Sequence, residues 1–188
     1  MTPKSCQSAW ESMQAACKHG PVHNYVQRLD MADYCVETPL FPAPVLKAYS
    51  AWNLGRPVDD IDQSLFNAER GGGQGDYRKG MPEKIANVVD CLSRFPQSKR
   101  AVITISNNPS AHHGSDDDAK CLREIHFYLN DNRLSATVLF RAQAVSIFPK
   151  NIHFIGTLMD EVAKALPNQP GLGDVFYLAT VLVSERDQ

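Results

Sequence analysis

The chain has 188 residues, 43% of them hydrophobic and 21% charged, with a formal net charge of -2. That composition supports a buried core and argues against disorder, while the near-neutral charge offers no basic footprint for nucleic acid. There is no run of 18 apolar residues to span a membrane, and the N-terminal stretch lacks the apolar region of a secretory signal.

Cys6, Cys17, Cys35, Cys91 and Cys121 are odd in number and scattered, which fits a reducing, cytoplasmic setting better than a disulfide framework. No C-x-x-C pair occurs, so no structural zinc or other metal site is expected. The length suits one domain over residues 1–188.

In chain order, residues 3–18 are expected to form a short helix with Trp10, Met13 and Cys17 on one stripe. VQRLDMADYCVETPLF reads as extended and runs into Pro39, Pro42 and Pro44. VLKAYSAWNLG has helical periodicity and a stop at Gly55. NAERGGGQGDYRKGMP reads as a loop. It is no phosphate loop, because Met81 stands where that motif needs Lys and Arg78 takes the third glycine position of G-x-G-x-x-G. A plain surface loop and a mobile loop touching a ligand both remain open for it. PEKIANVVDCLSRFP is a helix opened by Pro82, and RAVITISN a buried strand by its β-branched content.

NPSAHHGSDDDAK is a polar surface connection. Its His112, His113, Asp116, Asp117 and Asp118 lack the i, i+4 spacing that aims two imidazoles at one ion, so a solvated loop is favoured over a metal site. CLREIHFYLNDNRLSATVLFRA reads as two strands joined at Asp131 and Asn132. Residues 151–166 read as a helix with Ile152, Ile155, Met159 and Val162 on one face, and DVFYLATVLV as the last strand. Strands in hairpins flanked by helices define an α+β domain with a mixed, mostly antiparallel sheet.

Two residues stand out chemically. Cys121 opens a strand just after the polar loop, with Lys120 and Arg123 beside it and Arg141 on the other arm of the hairpin. Nearby cations stabilise a thiolate and make a cysteine nucleophilic; the alternative is a small core hydrophobe. Strand alternation puts Arg141 on a face with Ser135 and Thr137, away from Val138 and Phe140. A guanidinium at a strand end forks well onto an anion, which is either a ligand or a distant Asp or Glu.

SKRAVITISN, then Cys121, then LSATVLFRA, then FPKN before a helix together resemble the central part of thymidylate synthases. In that family two basic residues follow a helix and a P-D/Q-S turn, here FPQSKR. A cysteine comes next, then a strand, a turn and a strand ending in arginine, then an asparagine that opens a long helix. The step from Cys121 to Arg141 is twenty residues, as in the family pattern. TPLF before a helix also matches an earlier family passage. The resemblance covers residues 26–182 and is closest from Pro96 to Leu166.

The resemblance implies a thymidylate-synthase-like fold, a homodimer formed through the sheet, and one-carbon transfer to C5 of a pyrimidine nucleoside monophosphate. It makes Cys121 the nucleophile that adds to C6 and Arg141 the holder of the phosphate. Lys99 and Arg100 would reach the phosphate of the neighbouring subunit, and Asn151 would read the pyrimidine edge. The one-carbon donor would be 5,10-methylenetetrahydrofolate, and the product a methylated or hydroxymethylated base. The chain also departs from the pattern. Ala48 stands at the family's catalytic glutamate, and Ala142 and Ala144 replace a phosphate-binding serine and an aspartate. Lys120 and Leu122 flank the cysteine in place of Pro and His, and Val183 and Glu185 replace the final H-x-Y. The sequence also stops before the family's C-terminal folate-covering tail. The departures leave a second expectation open, a nucleotide-binding or structural subunit that keeps the fold without the chemistry.

Overall fold

The computed structural model describes residues 1–67, 69–70, 75–106 and 119–185. The hairpin sets the geometry of the rest. Asp131 and Asn132 both adopt positive φ, 48° and 56°, the two-residue turn whose twist matches that of paired strands. It joins β4 (Leu122–Asn130) to β5 (Arg133–Ala144), with Asn130 opposite Arg133 and Leu122 opposite Phe140. Alternation then sends Ile125, Phe127, Leu134, Ala136, Val138 and Phe140 inward, none more than 2% exposed.

Four further strands extend the sheet: β1 (Lys4–Ser5), β2 (Val22–Asp30), β3 (Val102–Thr104) and β6 (Gly171–Val183). The order is β1-β2-β6-β5-β4-β3. The β1/β2 and β5/β6 pairs are parallel and the other three antiparallel, so the sheet is mixed and mostly antiparallel. Parallel neighbours need a crossover, which α5 (Phe148–Ala165) supplies between β5 and β6. The other helices are α1 (Cys6–Ala16), α2 (Ala43–Asn53), α3 (Asp60–Ser64) and α4 (Met81–Arg94). Gly55, at φ 78°, takes the left-handed conformation just past α2.

Helix α5 lies against β5 and β6 and is in turn packed by α1, α2 and α4. It is therefore buried without interruption from Phe148 to Gly156. Phe148, Phe154 and Ile155 are fully buried, each contributing roughly 1.5–3 kcal/mol. The opposite sheet face has no helix over it among the described residues, and Tyr128, Leu139 and Phe176 are 39%, 36% and 37% exposed on it. No helix among the described residues is long and apolar enough to cross a membrane.

Three sequence expectations need correction. Helix α5 starts at Phe148, with Pro149 in its first turn, because proline's fixed φ suits that position; Asn151 is its fourth residue and does not open it. RAVITISN yields only a three-residue edge strand, in which Ile103 alone is buried. The first α-helix covers only Cys6–Ala16 and passes into a 3-10 turn over Cys17–His19; Met13 and Cys17 are buried as expected, joined by Cys6 and Ala9. Trp10 is half-buried and donates from Nε1 to the Val145 carbonyl at 3.1 Å.

Candidate functional site

Cys121 and Arg141 are brought together by backbone pairing. Beyond the Leu122–Phe140 pair, the Arg141 N–H donates to the Cys121 carbonyl at 2.8 Å. Cys121 thus stands half-buried at the open end of the hairpin, one residue before β4. The Arg141 guanidinium donates from Nε and Nη2 to the Ala119 carbonyl, at 2.9 and 2.5 Å. The sequence reading gave this cation either a ligand or an acid as partner. Among the described residues, the Ala119 carbonyl at the strand entrance accepts from two of the guanidinium's five N–H donors.

Three buried phenols surround this point. Burial, first of all, raises the pKa of Tyr49, Tyr77 and Tyr177, and the neighbouring Cys121 raises each further. At neutral pH they are uncharged hydrogen-bonding groups and not bases. Tyr77 stacks on Phe154 with ring centroids 5.8 Å apart, and its backbone N–H donates to Asn53 Oδ1 at 2.6 Å. The Tyr49 hydroxyl donates to the Gly75 carbonyl at 2.7 Å. A Cβ at residue 75 would lie 2.0 Å from that hydroxyl and 3.4 Å from Lys150 Nζ, so the segment entering Tyr77 passes this point only as glycine. Lys150 is 3% exposed, places its ammonium 4.5 Å from the Tyr49 ring centroid, and donates to the Arg70 carbonyl at 2.7 Å.

Asn151 is tied to the sheet. Its Nδ2 donates to Gln143 Oε1 at 2.9 Å, the Tyr177 hydroxyl donates to the same oxygen at 2.6 Å, and Gln143 Nε2 donates to the Ala144 carbonyl at 2.6 Å. Two residues further along α5, His153 Nδ1 is hydrogen-bonded to the Ser50 hydroxyl of α2 at 2.7 Å. Burial, helped by Lys47, lowers the His153 pKa from 6.5 to about 4. Ala48 is buried on the same helix, 4% exposed. The glutamate position of the resembled family is thus occupied by a methyl group.

Lys99 and Arg100 are exposed and lie elsewhere. The register of β3 on β4, extended by the Phe127 N–H bond to the Ala101 carbonyl, sets Arg100 level with Tyr128 near the hairpin turn. Tyr128 is seven residues from Cys121, which at strand rise is roughly 20 Å. The pair helps line a surface cleft of about 660 Å³ with Arg94 and Phe95, the latter 65% exposed. Within one chain the basic pair and Arg141 do not share a site.

His112, His113 and Asp116–Asp118 fall outside the described residues, as do Gly71–Gly73. Sequence reasoning missed Tyr49, Tyr77, Gln143, Lys150 and Tyr177. For Lys150 a signal existed: it shares a helical stripe with Phe154 and Leu158, so a cation stands in an apolar row. No family model matches the chain, and no curated protein is significantly similar to it.

Proposed function

We propose that this protein binds a pyrimidine nucleoside monophosphate and transfers a one-carbon unit to C5 of the base. The observation that supports the reading is the backbone pairing of Cys121 with Arg141, which brings a cysteine and an arginine to the same end of the hairpin. In this reading the Cys121 thiolate adds to C6, and the electron density displaced to C5 attacks the donor carbon. Loss of the C5 proton would expel tetrahydrofolate and leave an exocyclic methylene on C5; hydride from that folate, which becomes dihydrofolate, or water would then add to the methylene as the thiolate leaves C6. Arg141 meets the phosphate and Asn151 the base edge. The donor, 5,10-methylenetetrahydrofolate, is a co-substrate; Trp52 and Phe66, with centroids 5.2 Å apart and partly exposed next to Tyr49, are the flat rings on which a pteridine would stack. The product is a methylated or hydroxymethylated nucleotide.

The same reading makes the protein a thymidylate-synthase-like homodimer. The sheet face bearing the partly exposed Tyr128, Leu139 and Phe176, which no helix covers among the described residues, is the surface offered for self-association. A second copy supplies the Lys99 and Arg100 that one chain holds too far from Arg141. A second reading, a nucleotide-binding subunit without turnover, is favoured by Ala48, which leaves α2 no carboxylate at that point. Release of tritium from a C5-labelled nucleotide in the presence of the folate separates them. The transferase reading expects release that disappears in Cys121→Ala. Nucleotide binding with no release supports the second reading, and release that persists in Cys121→Ala overturns the nucleophile assignment.

A further inference from the structure

The parallel strands β5 and β6 end side by side, at Ala144 and Val183. Just beyond, the Ser146 N–H donates to the Ser184 carbonyl at 3.3 Å, and the chain after β5 turns into α5. In sheets with parallel strands, ligand crevices lie outside such carboxyl ends. Here there is a cleft of about 460 Å³, with Val145, Ser146, Ser184 and Glu185 on its sheet side. Helix α1 and the turn of Pro39 and Leu40 make its other walls. That turn is closed on itself, because Thr38 and Phe41 exchange backbone hydrogen bonds at 3.2 and 3.0 Å. The cleft is therefore formed by the fold and not by a ligand.

Its chemistry differs from that of the Cys121–Arg141 end. Trp10 belongs to α1 and donates from Nε1 to the Val145 carbonyl at 3.1 Å. The polar edge of the indole is thus engaged by the wall, and what the half-buried ring offers the cleft is π surface. Glu185 is the only charged side chain on the described lining, and it makes no ion pair among the described residues. Arg70 donates to the Leu40 carbonyl at 2.7 Å and to the Leu65 carbonyl at 3.1 Å, and it is not part of the lining. A ring face and a carboxylate both attract positive charge, and both repel an anion. Pro39 and Leu40 add apolar wall, which suits a charge carried on hydrocarbon.

We propose that this cleft is a binding site for a small organic cation, an amine or quaternary ammonium whose positive centre is held by the Trp10 ring and the Glu185 carboxylate. The site does not rest on the nucleotide reading and stands or falls separately from it. The probe is choline, compared with dimethylbutanol, the neutral alcohol of the same shape in which carbon replaces the charged nitrogen. The readout is the indole N–H signals in the nuclear magnetic resonance spectrum of the isotope-labelled protein, which has two tryptophans. Trp10→Phe removes one signal and so assigns it; if that variant does not fold, Trp52→Phe assigns the other. Choline should shift the Trp10 signal saturably and leave that of Trp52 in place. The neutral isostere should need a concentration higher by about tenfold. Glu185→Gln, a change at an exposed position that leaves the fold intact, should weaken choline binding by about threefold or more. It should leave binding of the isostere as it was. Equal affinity for the two probes overturns the inference, as does choline binding that Glu185→Gln leaves unaltered. A shift confined to Trp52, or none at either indole with choline in large excess, overturns it as well.

Discussion

The two ends of the β4–β5 hairpin differ in how they are built. At the open end Cys121, Arg141, Gln143 and Asn151 are each held by the chain itself, through a ladder bond, a carbonyl and a buried amide network. At the turn end Lys99 and Arg100 are exposed, next to a three-residue edge strand and a surface cleft. Residues held this way pay for their order within the fold, whereas an exposed basic pair has no structural task and gains one only from a partner or ligand. The difference teaches that substitutions of the open-end side chains held by hydrogen bonds, Arg141, Gln143 and Asn151, should register in stability and in ligand binding together. Mutations at the turn end should register in binding alone.

The largest effect expected at the open end is chemical. Cys121→Ala should reduce C5 tritium release to background while retaining nucleotide binding, because in the proposed reaction the thiol forms the adduct and other side chains hold the nucleotide.

Next in size is the pH response of the contact between α2 and α5. His153 is neutral in the fold, with its pKa lowered to about 4 by burial and by Lys47. The unfolded chain binds a proton near pH 6.5, so stability rises with pH between those values. The contribution is fully present above about pH 6.5 and is lost as pH falls toward about 4, on the order of 3 kcal/mol in all. Urea melts at pH 7 and pH 4.5 measure it. The same pH step in Ser50→Ala should start from a fold already weaker by about 1–3 kcal/mol, because the imidazole nitrogen loses its buried partner.

Arg141→Ala should combine both kinds of effect at smaller scale. Loss of the two donations to Ala119 lowers stability by about 1–2 kcal/mol. The preference for a nucleoside monophosphate over its nucleoside should fall by about tenfold or more, since charge-assisted bonds are worth roughly 1.5–3 kcal/mol each. Thermal melts with and without ligand show both at once: ligand should raise the melting temperature of the wild type only.

The smallest structural effect belongs to the turn end. Lys99→Ala with Arg100→Ala should change stability by no more than about 0.5 kcal/mol, as exposed positions do. It should still weaken monophosphate binding. A loss of stability comparable to that of Arg141→Ala would erase the distinction between the two ends.

The hairpin was legible in the sequence because Asp131 and Asn132 tolerate the positive φ that a two-residue turn requires, and because apolar residues alternate on both arms. Cys121 and Arg141 became neighbours for the same reason, since a register fixed by the turn also fixes the far end. The Asn151 network was not legible. Strand alternation assigns Gln143 to the half-polar face with Arg141, yet it is 1% exposed and reaches Tyr177 on the next strand but one from β4. That contact depends on the parallel placement of β6 beside β5, a choice of topology that local pattern does not encode. Tyr77 was hidden likewise, because the Asn53 side chain that seats it lies 24 residues away.

The central claim is that a complete phosphate site takes Arg141 from one chain and Lys99 with Arg100 from another, and subunit mixing tests it most directly. Arg141→Ala protein and Lys99→Ala/Arg100→Ala protein, each with weakened binding alone, are unfolded together and refolded in equal amounts. Half of the resulting dimers pair one of each, and one of the two sites in such a dimer has every residue intact. The account predicts that about a quarter of all sites recover wild-type affinity for a pyrimidine nucleoside monophosphate, while each protein refolded alone recovers none. Absence of any high-affinity sites in the mixture, with both variants folded and dimeric, would contradict it.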